Sequence, residues 1–359
     1  MQIKLLHQIN ITTDDAVLTA TLSNENEIVA FLDSGELVKY KIKEQEYQSL
    51  FSVKSSMGYS DGGFDIAAPS TIYTLGDIVV IVNDYKRHGW IHYPGKYTHL
   101  HLWRGEYHAS ISRYPVALFK NEAGIPHIIY AADWNHVQIM NLDTRQLLTA
   151  DKSLIEENAE ERHIEFFTKY KEDNKLPWPR AYDYFFGKLH LSPDSKIFLS
   201  AGWIWGSFDY YNAYSIEHFI KSNRIKDIPV FTGEHTNRAA CWINETTFAI
   251  TQNPFTEDVD EATKDSPNEI LYYTIKENKA ELKNKVQTAN PDIVGAEIAY
   301  NNQLDAIVAF SKEIGVAVIS LEGEIIFHNA DSDVDNYNAG LNLFHKIEGN
   351  SISIYQIIN

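Results

Sequence analysis

Histidine is the first residue type in this chain whose spacing invites chemistry. Residues 87–105 read RHGWIHYPGKYTHLHLWRG. Pro94-Gly95-Lys96 marks a turn between two alternating runs, so the segment reads as a hairpin. A turn centred on Gly95-Lys96 sets His92 opposite His99 and Trp90 opposite His101. On that register His88, Trp90, His92, His99, His101 and Trp103 share one face. His92, His99 and His101 would then bring three imidazoles within reach of one zinc, nickel or copper ion. No carboxylate or cysteine stands nearby as a fourth ligand, and a one-residue slip would scatter the set. A polar sheet face is the plainer reading.

Two further groupings could bind a ligand. Tyr, Asp and Arg recur in short loop-like stretches: Tyr59-Ser60-Asp61-Gly62-Gly63, Arg180-Ala181-Tyr182-Asp183-Tyr184, Asn237-Arg238 and Asp335-Asn336-Tyr337-Asn338. Gathered around one opening, Tyr59, Asp61, Arg180, Tyr182, Asp183, Arg238, Asp335 and Tyr337 would make a mixed polar and aromatic pocket. Satisfied loop amides are the structural alternative. The other grouping is aromatic: Trp178, Trp203, Trp205, Phe208, Tyr210 and Tyr211. In Gly202-Trp203-Ile204-Trp205-Gly206 both indoles fall on one face of an extended segment. Exposed, Trp203 and Trp205 would anchor a peptide or stack on a sugar; buried, they are core. Gly58-Tyr59-Ser60-Asp61-Gly62 has the G-x-S-x-G spacing of a hydrolase nucleophile elbow. That device needs a helix after it and a parallel sheet beneath. Gly63-Phe64-Asp65-Ile66 reads as a strand instead. There is no P-loop, H-E-x-x-H, G-x-G-x-x-G or usable EF-hand.

The elements that must position these residues are strands, written as one unit about seven times over. EIVAFLDSGELVKYKI (27–42) is an alternating run, a turn and a second alternating run; HIIYAADWNHVQIMNLDTRQLLT (127–149), LHLSPDSKIFLSAGW (189–203) and LDAIVAFSKEIGVAVISLEGEIIFH (304–328) repeat the theme. Each unit is a small sheet that cannot bury both faces alone, so several must stack around an axis. The expectation is an all-β propeller filling 1–359 as a single domain, with seven blades, or six if one weak unit is a distortion. Units fall near 16–53, 63–108, 113–150, 184–232, 236–283 and 293–329. The strand at 2–9 pairs with the last strands and completes the final blade, which removes an open edge. Two insertions interrupt the pattern. Residues 151–180 hold a helix near 153–172, with Ser153 and Glu156 as a capping box and Ile155, Ala159, His163, Phe166, Phe167 and Tyr170 on a face that packs against the propeller. Residues 255–269 are an acidic loop. A shorter helix is expected at 215–222.

At LHLSPDSKIFLSAGW the chain resembles the WD-repeat and related β-propeller superfamily, in which a strand, a Ser-Pro-Asp-Gly-Lys-like turn and a second strand recur in each blade. HVQIMNLDTRQLL (136–148) is similar to the strand and turn that follow, with Asn141-Leu142-Asp143 where that family ends its third strand in an aromatic-aspartate pair. The Gly-His dipeptides of true WD repeats are absent, so the likeness is to a divergent member. It implies a rigid, usually non-catalytic interaction platform and names no partner.

Composition narrows the function classes. The 359 residues carry 31 Lys and Arg against 49 Asp and Glu, a net charge of −18. Such a surface repels nucleic acid and anionic membranes and draws in basic proteins. Cys241 is the only cysteine, which fits a reducing compartment. No signal peptide or run of 18 apolar residues is visible, and a cytoplasmic location is expected. The leading expectation is a non-catalytic scaffold for a basic protein partner, with no cofactor, no nucleic acid and no membrane. The alternative is a propeller enzyme acting on a carbohydrate or lactone, with Asp61, Asp183 and Asp335 as its carboxylates.

Overall fold

The strand Glu27–Leu32 carries the logic of the fold, because all but its first residue are buried. Successive side chains of a strand point to opposite faces. Ile28, Ala30 and Leu32 enter one apolar cluster, with Leu343, Ile352 and Ile354. Val29 and Phe31 enter another, with Ile72, Val79 and Ile81. The same split recurs in Ala306–Ser311: Ile307 and Ala309 face Ala249 and Ile270, while Val308 and Phe310 face Phe344 and Ile357. A sheet apolar on both faces must be covered on both.

The computed structural model describes residues 1–11, 14–53, 59–170, 179–206, 208–234, 238–252, 268–288, 293 and 295–358. The chain is an all-β, seven-bladed β-propeller. Blade 1 is Val17–Asn24, Glu27–Leu32, Glu36–Lys41 and Glu46–Ser52; blade 2 is Ser70–Leu75, Ile78–Asn83, His88–Tyr93 and Tyr97–Trp103. Blade 3 is Val116–Lys120, Pro126–Asp133 and His136–Asn141, with a single bridge from Met140 to Leu147. Blade 4 is Phe185–Leu191, Ile197–Ile204, Phe208–Ser215 and Ile228–Glu234; blade 5 is Ala240–Trp242, Thr247–Gln252, Asn268–Lys276 and Lys279–Thr288. Blade 6 is Glu297–Asn301, Ala306–Ser311, Gly315–Ser320 and Ile325–Asn329. Blade 7 joins Asn336–Asn338, Leu343–Glu348 and Ser351–Ile358 to Gln2–Asn10 at its edge, paired from Gln2 opposite Ile358 to Asn10 opposite Ser351 with a bulge between Leu5 and His7. The pairing expected of the two end segments is therefore present. Blade 2 begins at Ser70, not Gly63, because 59–68 are taken up by turns.

The chain divides into two compact units. One comprises 1–103, 236–276 and 281–359; the other comprises 104–235 with the turn at 277–280. The first holds blades 1, 2, 6 and 7 and most of blade 5. The second holds blades 3 and 4. Among the described residues, no helix is long and apolar enough to cross a membrane.

The helical insertion departs from expectation. Helix α1 spans Ala159–Lys169, starts at Asn158 with φ 59° and has no side-chain cap. Ser153 is not a capping residue. Its amide bonds the Asn223 carbonyl at 2.7 Å, and Glu157 and Ile155 exchange bonds with Ile225. Long-range pairing of 153–157 with 223–225 overrides the local capping box, whose benefit is only about 1 kcal/mol. Nor does α1 pack down: none of its residues is buried, and Ile164, Phe166, Phe167 and Tyr170 are exposed. The shorter helix α2 is present at Ile216–Lys221, capped by the Ser215 hydroxyl. Most of the acidic loop at 255–269 lies outside the described residues, and 268–269 open a strand of blade 5.

His345 in blade 7 is 2% exposed, and burial pushes its imidazole down to about 4. The folded state holds it neutral while the unfolded chain protonates it below about pH 6.5. The unfolded state therefore binds more protons in that window, and stability falls as pH drops from about 6.5 to 4. The shift is equivalent to about 3 kcal/mol. Urea unfolding of the wild type and His345→Asn at pH 7 and pH 4.5 checks this: the wild type should lose more stability on acidification than the variant, and equal losses would refute it.

Candidate functional site

The histidine hairpin is built from the two outer strands of blade 2. His88 lies opposite Trp103 and Trp90 opposite His101, the register expected, although the turn itself closes Tyr93 on Tyr97. That register puts His88 and His101 diagonally on one face. The expected pairing of His92 with His99 is absent, because a bulge between Ile91 and Tyr93 shifts the ladder. His92 Nδ1 bonds the Thr98 carbonyl at 2.6 Å, and both His92 and His99 lie along the Phe51 ring. Trp90 sits against His99 and His101. Among the described residues no three His, Cys, Asp or Glu side chains are grouped to hold a metal ion.

His101 instead lies within a hydrogen-bonded row. The turn at 59–62 closes with the Gly62 amide on the Tyr59 carbonyl at 3.0 Å, with Gly62 at φ +83°. Asp61 then reaches His88 Nε2 with both carboxylate oxygens, at 3.0 and 2.9 Å. His88 Nδ1 meets His101 Nε2 at 2.9 Å, and His101 Nδ1 meets the Tyr59 hydroxyl at 2.8 Å. Arg87 pairs with Asp61 at 3.2 Å and lies over the Trp103 ring. Burial alone would raise the Asp61 carboxyl, but hydrogen bonds from His88 and Gly63 and the proximity of His88 and Arg87 bring it below its ordinary value. Burial, then the nearby His88, push His101 down to about 4.

The second unit carries an aromatic surface. Arg104 is buried and its Nη2 donates to the Ala109 and Ser112 carbonyls at 2.9 and 2.8 Å, which fixes the loop after blade 2. The loop presents Tyr107 outward and His108 at φ 54°. Beneath them Phe185 and Trp203 stack at 3.7 Å, nearly parallel, and Trp203 Nε1 donates to the Ser112 hydroxyl at 2.8 Å. His108 is edge-on to Phe185, Trp203 and Trp205. Tyr107 is 51% exposed and Trp205 47%, with ring centroids 6.2 Å apart, so two indole and phenol faces stand on a rigid floor. Trp134 touches both Tyr107 and Phe185. Glu106 and Asp183 are exposed beside these rings in sequence.

The structure distributes the other candidates differently. Trp203 is floor and Trp205 surface, because the strand ends at Ile204 and Trp205 stands in the turn that follows. Tyr182 is buried; its hydroxyl meets Tyr214 at 2.6 Å and Asp227 at 3.1 Å, and burial followed by the Asp227 charge raises it well above the usual phenol range. Tyr337 is buried on Asn301 and Asn342. Asp335 accepts the Ile347 amide at 2.7 Å. Arg238 is buried; Arg180 and Asp183 are exposed. Trp178 and Asn237 lie outside the described residues. Tyr107, His108 and Trp134 were not singled out in the sequence, since a His next to a Tyr in a loop carries no periodic signal.

No family model matches the chain, and no significant similarity to a curated protein is found.

The two tryptophans should behave oppositely. Trp203→Ala removes a buried stack and should cost about 3–5 kcal/mol. Trp205→Ala should stay within about 0.5 kcal/mol. Chemical denaturation of each variant measures both, and a costly Trp205→Ala would remove it from the surface set.

Proposed function

We propose that this chain is a divergent WD-repeat-like propeller that binds a protein partner through the aromatic surface of its second unit and does no chemistry there. One observation carries the reading: Tyr107 and Trp205 are half exposed yet held by a buried aromatic floor. Rigid Trp and Tyr side chains are the usual anchors of interfaces, because they bury large area at small entropic cost. Their faces attract a Lys or Arg side chain. Glu106, next to Tyr107 in the chain, and the net charge of −18 favour the same cationic partner and speed its approach. The lone cysteine, Cys241, is buried and free of a disulfide, which supports a cytoplasmic setting.

The test is capture of basic proteins by the purified chain at low and high salt, with the double variant Tyr107→Ser, Trp205→Ser alongside. The wild type should retain a basic protein at low salt and release it at high salt. The double variant should bind it on the order of a hundredfold more weakly, as the loss of two anchors of about 1.5 kcal/mol each implies. Equal retention by both chains would defeat the proposal.

A further inference from the structure

The row Tyr59, His101, His88, Asp61 belongs to the first unit and plays no part in the aromatic surface. With both imidazoles neutral, its protons have one order. The Asp61 carboxylate accepts from His88 Nε2–H, which leaves His88 Nδ1 as an acceptor. His101 therefore carries its proton on Nε2 and offers Nδ1 to the Tyr59 hydroxyl, which donates. Every bond in the row points the same way, from a phenol 36% exposed to a carboxylate behind a histidine 1% exposed. Chains of this kind polarise in concert. A nucleophile bonded to a base that is itself oriented by a further group is the general pattern of an activated nucleophile.

We propose that Tyr59 is a nucleophile toward acyl electrophiles of the ester or lactone class, activated by proton transfer through His101 and His88. Tyr59 Oη attacks the acyl carbon and forms a new C–O bond. Its proton passes to His101 Nδ1 while the His101 Nε2 proton passes to His88 Nδ1. His88 becomes an imidazolium paired with Asp61. The ester C–O bond breaks, and the proton returns along the row to the leaving oxygen, which departs as an alcohol. Water then cleaves the acyl-tyrosine by the same transfers and restores the phenol. His101 touches the reacting oxygen and relays its proton; His88, paired with Asp61, is the group that keeps it. The other charged or titratable groups facing the row are Arg87, on Asp61, and His99, across Trp90.

p-Nitrophenyl acetate is the probe, with release of nitrophenolate followed by absorbance and the acetylated residue located by mass spectrometry. Tyr85 and Tyr107, both more exposed than Tyr59, are internal controls. Tyr59 should acetylate on the order of a hundredfold faster than either, the usual contribution of a positioned general base. His101→Asn keeps an acceptor for the Tyr59 hydroxyl but cannot pass a proton on. It should bring Tyr59 down to the control rate while the controls stay unchanged, which also reports that the chain is folded. Asp61→Asn should slow Tyr59 and steepen its rate's dependence on pH between 6 and 8. Acetylation of Tyr59 at the control rate in the wild type, or an undiminished rate in His101→Asn, would overturn the proposal.

Discussion

Everything in this molecule follows from strands that are apolar on both faces. In Glu27–Leu32 and Ala306–Ser311 even and odd positions serve two different cores, so neither sheet can stand alone. Neighbouring sheets are then obligatory, and the first unit links its blades through shared clusters rather than through one central core. The outer strands escape this constraint. Lys279–Thr288 is largely exposed and Tyr97–Trp103 is exposed or half-buried at all but Leu102, so polar side chains accumulate there at little desolvation cost. Of the histidine row only His101 stands on such a strand; His88 is buried on the strand beside it, and Tyr59 and Asp61 lie in a turn.

Both candidate sites use a buried layer to hold an exposed ring. In the second unit a buried guanidinium, Arg104, pins a loop from within, and the Phe185–Trp203 stack supports Tyr107 and Trp205. In the first, Asp61 and the buried His88 hold His101, and His101 holds Tyr59. Preorganisation matters in each case, because a ring that is already fixed loses little freedom when it meets a ligand.

The blades were legible because alternation and turn chemistry are local signals. The register that sets Trp90 against His101 was legible, but it is reached through a turn that closes Tyr93 on Tyr97 and a bulge at His92 that leaves no His92–His99 pair. Local signals failed wherever a distant segment competed. Ser153 has the right neighbours for a helix cap but pairs with Asn223, seventy positions away. Tyr182 and Tyr337 sit in loop-like sequence yet turn inward, since Asp227 and Asn212, or Asn301 and Asn342, offer buried partners. The bond between Tyr59 and His101 spans 42 positions and leaves no trace in spacing. Polar loop residues can be named from a sequence, but the partners that decide whether they face water are chosen by tertiary contact.

Among the described strands, the edge strand Gln2–Asn10 pairs only with Ser351–Ile358. More than three hundred residues emerge from a ribosome between the two partners, so the earlier strand must wait unzipped while blade after blade forms. Closing so long a loop is entropically slow but reversible at modest cost. The seventh sheet thus acts as a clasp: of the seven it is the last whose strands are all synthesised, and a peptide able to mimic either strand could compete for it before it shuts.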